Sequence, residues 1–597
     1  MEGQRLRYGA AIAAILLSAL VMYSRPLVVK VVIDHVIKNE PLGDEMPAFV
    51  AALFERYDIR SVLAQALWIA TIAFVATAVI SGTLDYLRGT WAARAAESIA
   101  LRLRDRLYDH LQRLPAAYHD RAESGDLIQR CTSDVETLRM FLASQVTEIG
   151  RAVILMGTAL PLMLSLDARM TLWACLVLPV VIVFSVVFFA RTSATFKVQA
   201  ESEGAMTARL QENLSGIRVV RAFARQEYES RRFEEANAAY RDRSHSLIRL
   251  FSFYWPISDF LCIGQNAVVL LVGAFYVADG SMTLGTLSAF ITYVNMFLWP
   301  VRQMGRVLAE TGKAVVSLGR IGEILAAPVE ADRPAAAAPP APAQGRIEIR
   351  GLSFSHGGRP VLSDITLTVE AGQTLAILGP SGSGKSTLIQ VLLRLYDYDA
   401  GTITLDGAEL RDLPRRHVRR QIAPVLQEPF LYSKSLRENI KLGRSDSDDD
   451  AMIEAANAAA VHASIARFDA GYDTVVGERG VTLSGGQRQR VALARALLMD
   501  PPVLILDDAF SAVDTRTERS ILDALRRRHQ RRTTLVIAHR LTTLMHADRI
   551  IVLDRGRIAQ EGTHDTLVAA EGMYRRLWLI QSALDEDLDE DLEPAAS

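Results

Sequence analysis

The sequence predicts a polytopic α-helical membrane half fused to a soluble α/β half. Half of the 597 residues (50%) are hydrophobic and the mean hydropathy is +0.16, which is more apolar than a soluble globular protein normally is. The long apolar stretches lie before residue 325, whereas strands alternate with helical segments after residue 346. A proline- and alanine-rich stretch at 328–345 has no means of forming a core, so we interpret it as a linker between the two halves.

Six stretches in the first half are long and apolar enough to cross a bilayer, which takes about 20 residues each. The first of them continues through Arg25 and Pro26 into further apolar sequence instead of reaching a small-residue cleavage site. We therefore interpret it as a membrane helix and not as a signal peptide. The six predicted spans are 10–32, 64–82, 149–166, 172–190, 257–278 and 284–301.

Basic residues orient these predicted helices. The connection 191–246 holds ten Arg or Lys, and the stretch after the second span is also rich in arginine, whereas loops on the other side are short or mildly acidic. The positive-inside rule therefore places both termini and the soluble half in the cytoplasm. We expect the spans to cross the inner or plasma membrane. Apolar residues recur at helical spacing in both basic connections. This favours membrane helices that continue as cytoplasmic stalks over separate helices on the membrane surface.

A phosphate-binding motif organises the soluble half. Residues 379–387 read GPSGSGKST and fit the pattern G-x-x-x-x-G-K-[ST], with an apolar strand before them and a helical run after them. Glycines let the backbone wrap a phosphate, Lys385 neutralises β- and γ-phosphate charge, and the Ser386 hydroxyl can bind Mg²⁺. The predicted nucleotide-binding residues of this loop are Gly379, Pro380, Ser381, Gly382, Ser383, Gly384, Lys385, Ser386 and Thr387.

Two carboxylates follow a second apolar strand. Residues 503–508 read VLILDD, which places Asp507 and Asp508 at the end of a buried strand. Asp507 is placed to hold Mg²⁺ and Asp508 to polarise the attacking water. Phosphoryl transfer depends mainly on such positioning and on charge neutralisation. The sequence therefore predicts ATP and Mg²⁺ as cofactors.

A second anion-binding helix start lies between these two motifs. It reads LSGGQ at 483–487 and combines a serine and two glycines with the beginning of a helical run. One ATP does not need two phosphate cradles from one chain, so we expect this segment to cap an ATP that another subunit holds. Its predicted nucleotide-binding residues are Ser484, Gly485, Gly486 and Gln487.

With these motifs the chain resembles an ATP-binding cassette (ABC) half-transporter of the exporter type, over about residues 5–580. The resemblance implies a catalytic role for Gln427, which would also sense Mg²⁺, and for His539, which would contact the γ-phosphate. It implies that 474–480 contacts the coupling helices and that 511–514 contacts the dimer partner.

The resemblance also implies two cytoplasmic coupling helices in the membrane half, at 124–135 and 216–227. The second of them would reach the partner's ATPase domain. The implied function is ATP-driven export of small amphiphilic molecules, drug-like or lipid-like, by alternating access. A lipid flippase, a dedicated peptide or siderophore transporter on the same fold, and a regulatory ATP-binding subunit remain as alternatives.

Two positions depart from the family pattern. The residue after Asp507 is usually Glu, and the shorter Asp508 withdraws the carboxylate by roughly 1.5 Å, a displacement that can cost about a hundredfold in a positioned reaction. This favours a heterodimer in which this chain contributes a weak ATP site, with an active homodimer as the alternative. His356 occupies the position that normally carries a tyrosine stacked on adenine.

These observations divide the chain into a membrane domain at 1–327, the linker at 328–345, an ATPase domain at 346–584 and an acidic tail at 585–597 that we expect to be disordered. The net charge of −2 and its distribution give no sign of nucleic-acid binding. The three cysteines are far apart and lack metal-ligand spacing, which argues against a disulfide or zinc framework. They are Cys131, Cys175 and Cys262.

Overall fold

The chain divides into two compact units in a computed structural model that describes residues 5–38, 67–330, 343–528, 532–538 and 544–580. The first, here called the helical unit, comprises Met1–Arg113 and Ala122–Ala327. The second, here called the sheet unit, comprises Leu114–Arg121 and Pro328–Ser597.

Long helices build the helical unit. Short π-helical turns interrupt them at Val32–Ile37, Arg130–Asp134 and Phe141–Gln145. The helices are α1 (Arg5–Val31), α2 (Leu67–Arg113), α4 (Ser124–Gln129), α5 (Val135–Met140), α6 (Val146–Leu166), α7 (Ala168–Ala174), α8 (Leu178–Ser215), α9 (Ile217–Ala222), α10 (Gln226–Ala278) and α11 (Leu284–Ala326), and α3 (Ala116–His119) lies in the sheet unit.

Five helical stretches in the described part of the chain are long and apolar enough to cross a membrane. The predicted second span, 64–82, begins outside the described residues, and its described part forms the start of α2. The helix α10 has 53 residues, more than twice the length that a bilayer requires. The prediction that membrane helices continue as stalks is confirmed for the segments within α2 and α8. The five stretches are Arg5–Asp34, Ser124–Leu166, Ala168–Ser215, Gln226–Ala278 and Leu284–Gln303.

Two buried tyrosines tie α1, α6 and α11 together. The Tyr23 hydroxyl donates to the Leu155 carbonyl oxygen at 2.9 Å, and the Tyr293 hydroxyl donates to the Tyr23 carbonyl oxygen at 2.8 Å. Their ring centroids are 5.6 Å apart. Both hydroxyls are therefore satisfied inside the helix bundle, as polar groups at membrane depth need to be.

An ionic cluster holds the segment after α3 against the end of α11. Arg320 donates to the Asp126 carboxylate at 2.6 Å, and the Ser317 hydroxyl donates to buried Asp134 at 3.1 Å. Arg130 contacts Glu323 at 2.7 Å and Asp126 at 2.8 Å. The members of this ionic cluster are Asp126, Arg130, Asp134, Ser317, Arg320 and Glu323.

Charge reversal within the ionic cluster should destabilise the helical unit. Arg320→Glu is expected to lower the midpoint of thermal inactivation by about 2–6 °C, because it removes one of the two arginine partners of Asp126 and faces buried Asp134 with a like charge. Adding Asp126→Arg should restore part of the loss. Arg209→Glu is the matched control, since the ion pair of Arg209 within the described part of the chain is an exposed one with Glu212. Equal midpoints for Arg320→Glu and Arg209→Glu would contradict the role of the cluster.

The first predicted coupling segment, 124–135, stays a prediction, and the structure divides the connection that contains it between the two units. The part of this connection that belongs to the sheet unit is Leu114–Arg121, whereas 124–135 belongs to the helical unit, where the ionic cluster fixes it. Pro115 explains where this part begins, because α2 ends at Arg113 and proline disfavours helix in the residue before it. The second predicted segment, 216–227, contains α9 and stays in the helical unit.

Two sheets form the frame of the sheet unit. An antiparallel four-stranded sheet has the order β2-β1-β4-β5, and a six-stranded sheet has the order β10-β9-β3-β8-β7-β6, parallel except for β10. The strands are β1 (Ile347–His356), β2 (Arg359–Val369), β3 (Thr374–Leu378), β4 (Ala400–Leu405), β5 (Ala408–Glu409), β6 (Ile422–Val425), β7 (Val503–Asp507), β8 (Thr533–Ile537), β9 (Arg549–Asp554) and β10 (Arg557–Gly562).

Helices cover the six-stranded sheet and complete the α/β fold expected from the sequence. They are α12 (Lys385–Leu392), α13 (Arg415–Gln421), α14 (Leu436–Lys441), α15 (Asp449–Ala458), α16 (His462–Ile465), α17 (Gly485–Leu498), α18 (Thr515–Arg528) and α19 (His564–Ala569). In this sheet β8 lies between β3 and β7, and Ile537 of β8 pairs with both Ile377 and Asp507. The loop after β3 and the carboxylates at the end of β7 therefore lie at the same edge of the sheet, where ligands bind in open α/β sheets.

Candidate functional site

A cavity of about 260 Å³ lies at this edge of the sheet. It is smaller than a typical site for a drug-sized ligand, which takes about 300–1,000 Å³, and its size suits the phosphate chain of a nucleotide. It brings together the phosphate loop, Gln427 and both predicted carboxylates. The lining residues are Val361, Ser381, Gly382, Gly384, Lys385, Ser386, Thr387, Gln427, Asp507, Asp508 and Ile537.

The phosphate loop has the shape of an open cradle. Gly379, Gly382 and Gly384 all have positive φ (155°, 78° and 103°), as the predicted wrapping of the backbone requires. A Cβ at Gly382 would meet no atom within 4 Å, so the loop is open at this point. The Ser383 hydroxyl is buried and has no hydrogen-bond partner among the described residues. An open glycine cradle at the start of α12 with an unsatisfied donor fits a bound phosphate.

Lys385 lies buried inside the cradle. Its ammonium group donates to the carbonyl oxygens of Gly379 at 2.7 Å and Pro380 at 2.9 Å. Burial lowers the pKa of Lys385, and the nearby carboxylates of Asp507 and Asp508 oppose that shift. These contacts place a cation at the wall of the cavity, where it can neutralise phosphate charge.

Asp507 and Asp508 lie at the end of β7 and differ in backbone conformation. Asp507 is the last residue of β7 and is buried, whereas Asp508 adopts a left-handed backbone conformation with φ of 49°. The Asp508 amide donates to the Ile537 carbonyl oxygen at 2.9 Å, and its own carbonyl oxygen accepts from the Ser511 hydroxyl at 3.1 Å. The turn that carries the Asp508 side chain is therefore fixed at both of its backbone groups.

The residues predicted to hold Mg²⁺ all line the same cavity. They are a hydroxyl (Ser386), an amide (Gln427) and a carboxylate (Asp507). Such oxygen donors suit Mg²⁺, which usually binds one or two protein carboxylates and completes its shell with water and substrate phosphates. Within the described ranges there is no cluster of three or more His, Cys, Asp or Glu side chains, so no dedicated metal cage competes with this assignment there.

Gln489 is a residue of the site that sequence reasoning missed. Its buried side chain donates to the Ser511 hydroxyl at 2.7 Å and to the Asp508 carbonyl oxygen at 3.3 Å, and it accepts from the Ala512 amide at 3.0 Å. It thus holds the turn after Asp508 in place. The available signal was a glutamine on the apolar face of α17, four residues before buried Leu493.

The LSGGQ segment lies outside the phosphate cavity of its own chain. Ser484 caps α17: its hydroxyl accepts from the Gln487 amide at 3.3 Å, and the Gln487 side chain accepts from the Ser484 amide at 2.9 Å. A Cβ at Gly486 would lie 2.6 Å from the Ala512 carbonyl oxygen. Gly485 lines an adjoining groove of about 800 Å³, which shares Gln427 with the phosphate cavity. The capped helix start is therefore not part of the lining of this chain's own phosphate cavity.

Two predicted site residues are not among the described residues that line the cavity. His356 ends β1 at an exposed position and does not line the cavity; its ring centroid is 5.6 Å from that of Tyr396. His539 follows β8 by two residues but lies outside the described residues.

Comparison with known proteins identifies the family of this chain. Residues 8–301 match the sequence model of the ABC transporter transmembrane region, and residues 362–511 match the family model named ABC transporter. The chain is 34% identical to the uncharacterized ABC transporter ATP-binding protein YknU of Bacillus subtilis over 575 residues, which cover 96% of this chain and 94% of the relative. The chain belongs to the ABC transporter family.

Two further comparisons indicate that the chain is an ABC exporter half-transporter. The chain is 35% identical to a putative multidrug export ATP-binding/permease protein of Staphylococcus aureus, with 93% of this chain and 94% of that protein covered. It also superimposes on the structure of a bacterial Atm1-family ABC exporter with ATP bound, with a TM-score of 0.82, 26% identity and 97% and 98% of the two chains covered.

The predicted fold class is thereby confirmed: an exporter-type transmembrane domain is fused to an ABC ATPase domain. The chain is an ATPase whose activity is coupled to transport, and its ATPase domain binds ATP. Exporters of this family function as dimers in a membrane, and this chain shares their multi-pass fold.

Proposed function

We propose that this ABC half-transporter exports small amphiphilic molecules across the inner or plasma membrane, with its ATPase domain in the cytoplasm, as one subunit of a heterodimer. The observation that carries the dimeric site is the position of LSGGQ: its capped helix start lies outside the phosphate cavity of its own chain. Each chain then supplies a cradle for one ATP and a cap for another. Similarity to a relative described as a putative multidrug exporter supports amphiphilic molecules as the substrate class.

In the proposed mechanism the chain's own residues bind, orient and shield the phosphates. Amides of the phosphate loop and the Lys385 ammonium hold the β- and γ-phosphates, and Ser386, Gln427 and Asp507 would hold Mg²⁺. ATP supplies the phosphoryl group whose transfer to water drives the cycle. Asp508 orients that water, and His539 is expected to contact the γ-phosphate. In the proposed dimer, closure of the two ATPase domains over ATP opens the substrate cavity between the two membrane domains to the outside.

The heterodimer is inferred from Asp508. Its backbone is fixed by the bonds to Ile537 and Ser511, so the side chain has little means of making up for the methylene that a glutamate would add. A weak site on this chain would leave most hydrolysis to the partner's site, which this chain completes with LSGGQ. Intact mass analysis of the complex, recovered from native membranes through a tag on this chain, tests the inference. A second, different half-transporter supports it, and a complex of this chain alone overturns it.

Two substitutions in this chain should affect different ATP sites. Ser484→Ala removes the cap of α17 at the partner's strong site and is expected to lower ATP turnover of the complex by about a hundredfold. Lys385→Ala should abolish ATP binding at this chain's own site and leave most of the turnover. Turnover is measured with purified complex in lipid, and binding by photolabelling this chain with azido-ATP. Equal loss of turnover from both substitutions would indicate a homodimer.

A further inference from the structure

Tyr396 contacts two functional segments at once. Its ring centroid lies 5.6 Å from that of His356, with the two planes at 78°, and 5.7 Å from that of Phe354. Its hydroxyl donates a hydrogen bond to the carboxylate of Asp120. Asp120 belongs to Leu114–Arg121, the part of the first cytoplasmic connection that clusters with the sheet unit. One side chain therefore connects the predicted adenine-stacking residue with the connection between two membrane helices.

The loop that carries Tyr396 is rigid. It follows α12, the helix that begins at the phosphate loop, and precedes β4. Buried Arg394 donates to the carbonyl oxygens of Leu410 at 2.7 Å and Leu413 at 2.5 Å. The Arg394 carbonyl oxygen accepts from Arg415 at 2.6 Å and Arg419 at 2.9 Å. These buried, charge-assisted bonds fix the loop backbone, so the Tyr396 ring has a defined place from which to orient its neighbours.

The hydroxyl of Tyr396 acts as a hydrogen-bond donor at neutral pH. Burial, and after it the adjacent Asp120 carboxylate, raise the pKa of Tyr396 to about 12. The phenol therefore stays protonated, and the carboxylate is the acceptor. A hydrogen bond from a neutral hydroxyl to a carboxylate is charge-assisted and is therefore stronger than one between two neutral groups. This contact joins residues that are 276 positions apart in the chain.

We propose that Tyr396 is a positioning residue with two separable contacts: its ring orients His356 for adenine binding, and its hydroxyl holds Leu114–Arg121 against the rest of the sheet unit. Adenine binding and the first cytoplasmic connection then depend on the same side chain. The ring contact rests on the proposed role of His356, whereas the hydroxyl contact does not. Removing the hydroxyl alone, or the ring as well, separates the two roles.

Three variants of the full complex in lipid test the proposal. Tyr396→Phe keeps the ring, so the azido-ATP concentration that half-saturates this chain should stay within about twofold of the native value. Amide hydrogen exchange of peptides covering 114–121 should become about tenfold faster, because the hydroxyl is lost. Tyr396→Leu loses the ring too, and half-saturation should rise about three- to tenfold. Asp120→Leu should reproduce the exchange of Tyr396→Phe, and combining the two should add nothing.

Matched controls separate this role from a general loss of structure. Tyr398 lies in the same loop as Tyr396, and its hydroxyl donates to Glu409 of β5, a bond that Tyr398→Phe removes. Among the described residues Tyr398 makes no ring contact with His356. It should leave both readouts unchanged. Asp120→Asn keeps an acceptor oxygen and should retain most of the slow exchange. These results would support the proposal, because a purely structural defect would move both readouts together.

Specific outcomes overturn the proposal. If Tyr396→Leu binds azido-ATP as tightly as the native chain while His356→Ala binds it more weakly, the ring does not position His356. If Tyr396→Phe leaves exchange at 114–121 unchanged, the hydroxyl does not hold that segment. If His356→Ala itself leaves azido-ATP binding unchanged, the proposed adenine role of His356 fails first, and the ring contact loses its function with it.

Discussion

Replacing Asp508 with glutamate is expected to raise ATP hydrolysis at this chain's own site by about a hundredfold. The added methylene would extend the carboxylate by roughly 1.5 Å into the cavity that also contains Lys385 and Gln427. The backbone of residue 508 is fixed by the Ile537 and Ser511 bonds, so the extension should move the carboxylate and not the turn. The water that attacks the γ-phosphate would then meet a base at the distance the reaction requires.

The gain should be visible when the other site is silent. Turnover of the purified complex is therefore compared with and without Asp508→Glu in a chain that also carries Ser484→Ala. Asp565→Glu, an equal extension at an exposed position in the first turn of α19, is the control and should change nothing. An unchanged rate for Asp508→Glu would remove the main support for a weak site on this chain.

The parts of the site that the sequence predicts are those that local chain geometry determines. A strand, a glycine loop and a helix in succession define the phosphate cradle, and the positive φ values of Gly382 and Gly384 follow from that pattern. An apolar strand that ends in two aspartates likewise defines the edge at which Asp507 and Asp508 emerge. Parallel pairing of β3, β8 and β7 then brings both motifs to one cavity.

The parts that the sequence could not predict depend on contacts between distant residues. No local pattern connects Tyr396 with Asp120, and none indicates that Leu114–Arg121 clusters with the sheet unit whereas 124–135 clusters with the helical unit. Asp126 pairs with Arg320, 194 positions away, and that pairing holds the later segment in the helical unit. Gln489 was missed since a buried glutamine is recognisable only once its partners Ser511 and Ala512 are known.

Two glycines of the phosphate loop should respond to alanine in different ways. A Cβ at Gly379 would lie 2.2 Å from the Leu553 carbonyl oxygen in β9 and 2.7 Å from the Ser383 hydroxyl, and φ is 155°. Because the strand backbone cannot move aside cheaply, Gly379→Ala is expected to destabilise the sheet unit by about 3–5 kcal/mol. A Cβ at Gly382 meets no atom within 4 Å, so Gly382→Ala should cost only about 1–2 kcal/mol of backbone strain.

The methyl group added by Gly382→Ala would nevertheless lie at the wall of the cavity, where a phosphate has to approach the loop backbone. Gly382→Ala should therefore yield a folded complex that has lost most of its affinity for azido-ATP, whereas Gly379→Ala should lower the yield of folded protein itself. Thermal inactivation and photolabelling of the two variants, measured side by side, separate these effects. If Gly382→Ala kept its nucleotide affinity, phosphate could not contact the loop at this glycine, and the 260 Å³ cavity would lose its assignment as the phosphate site.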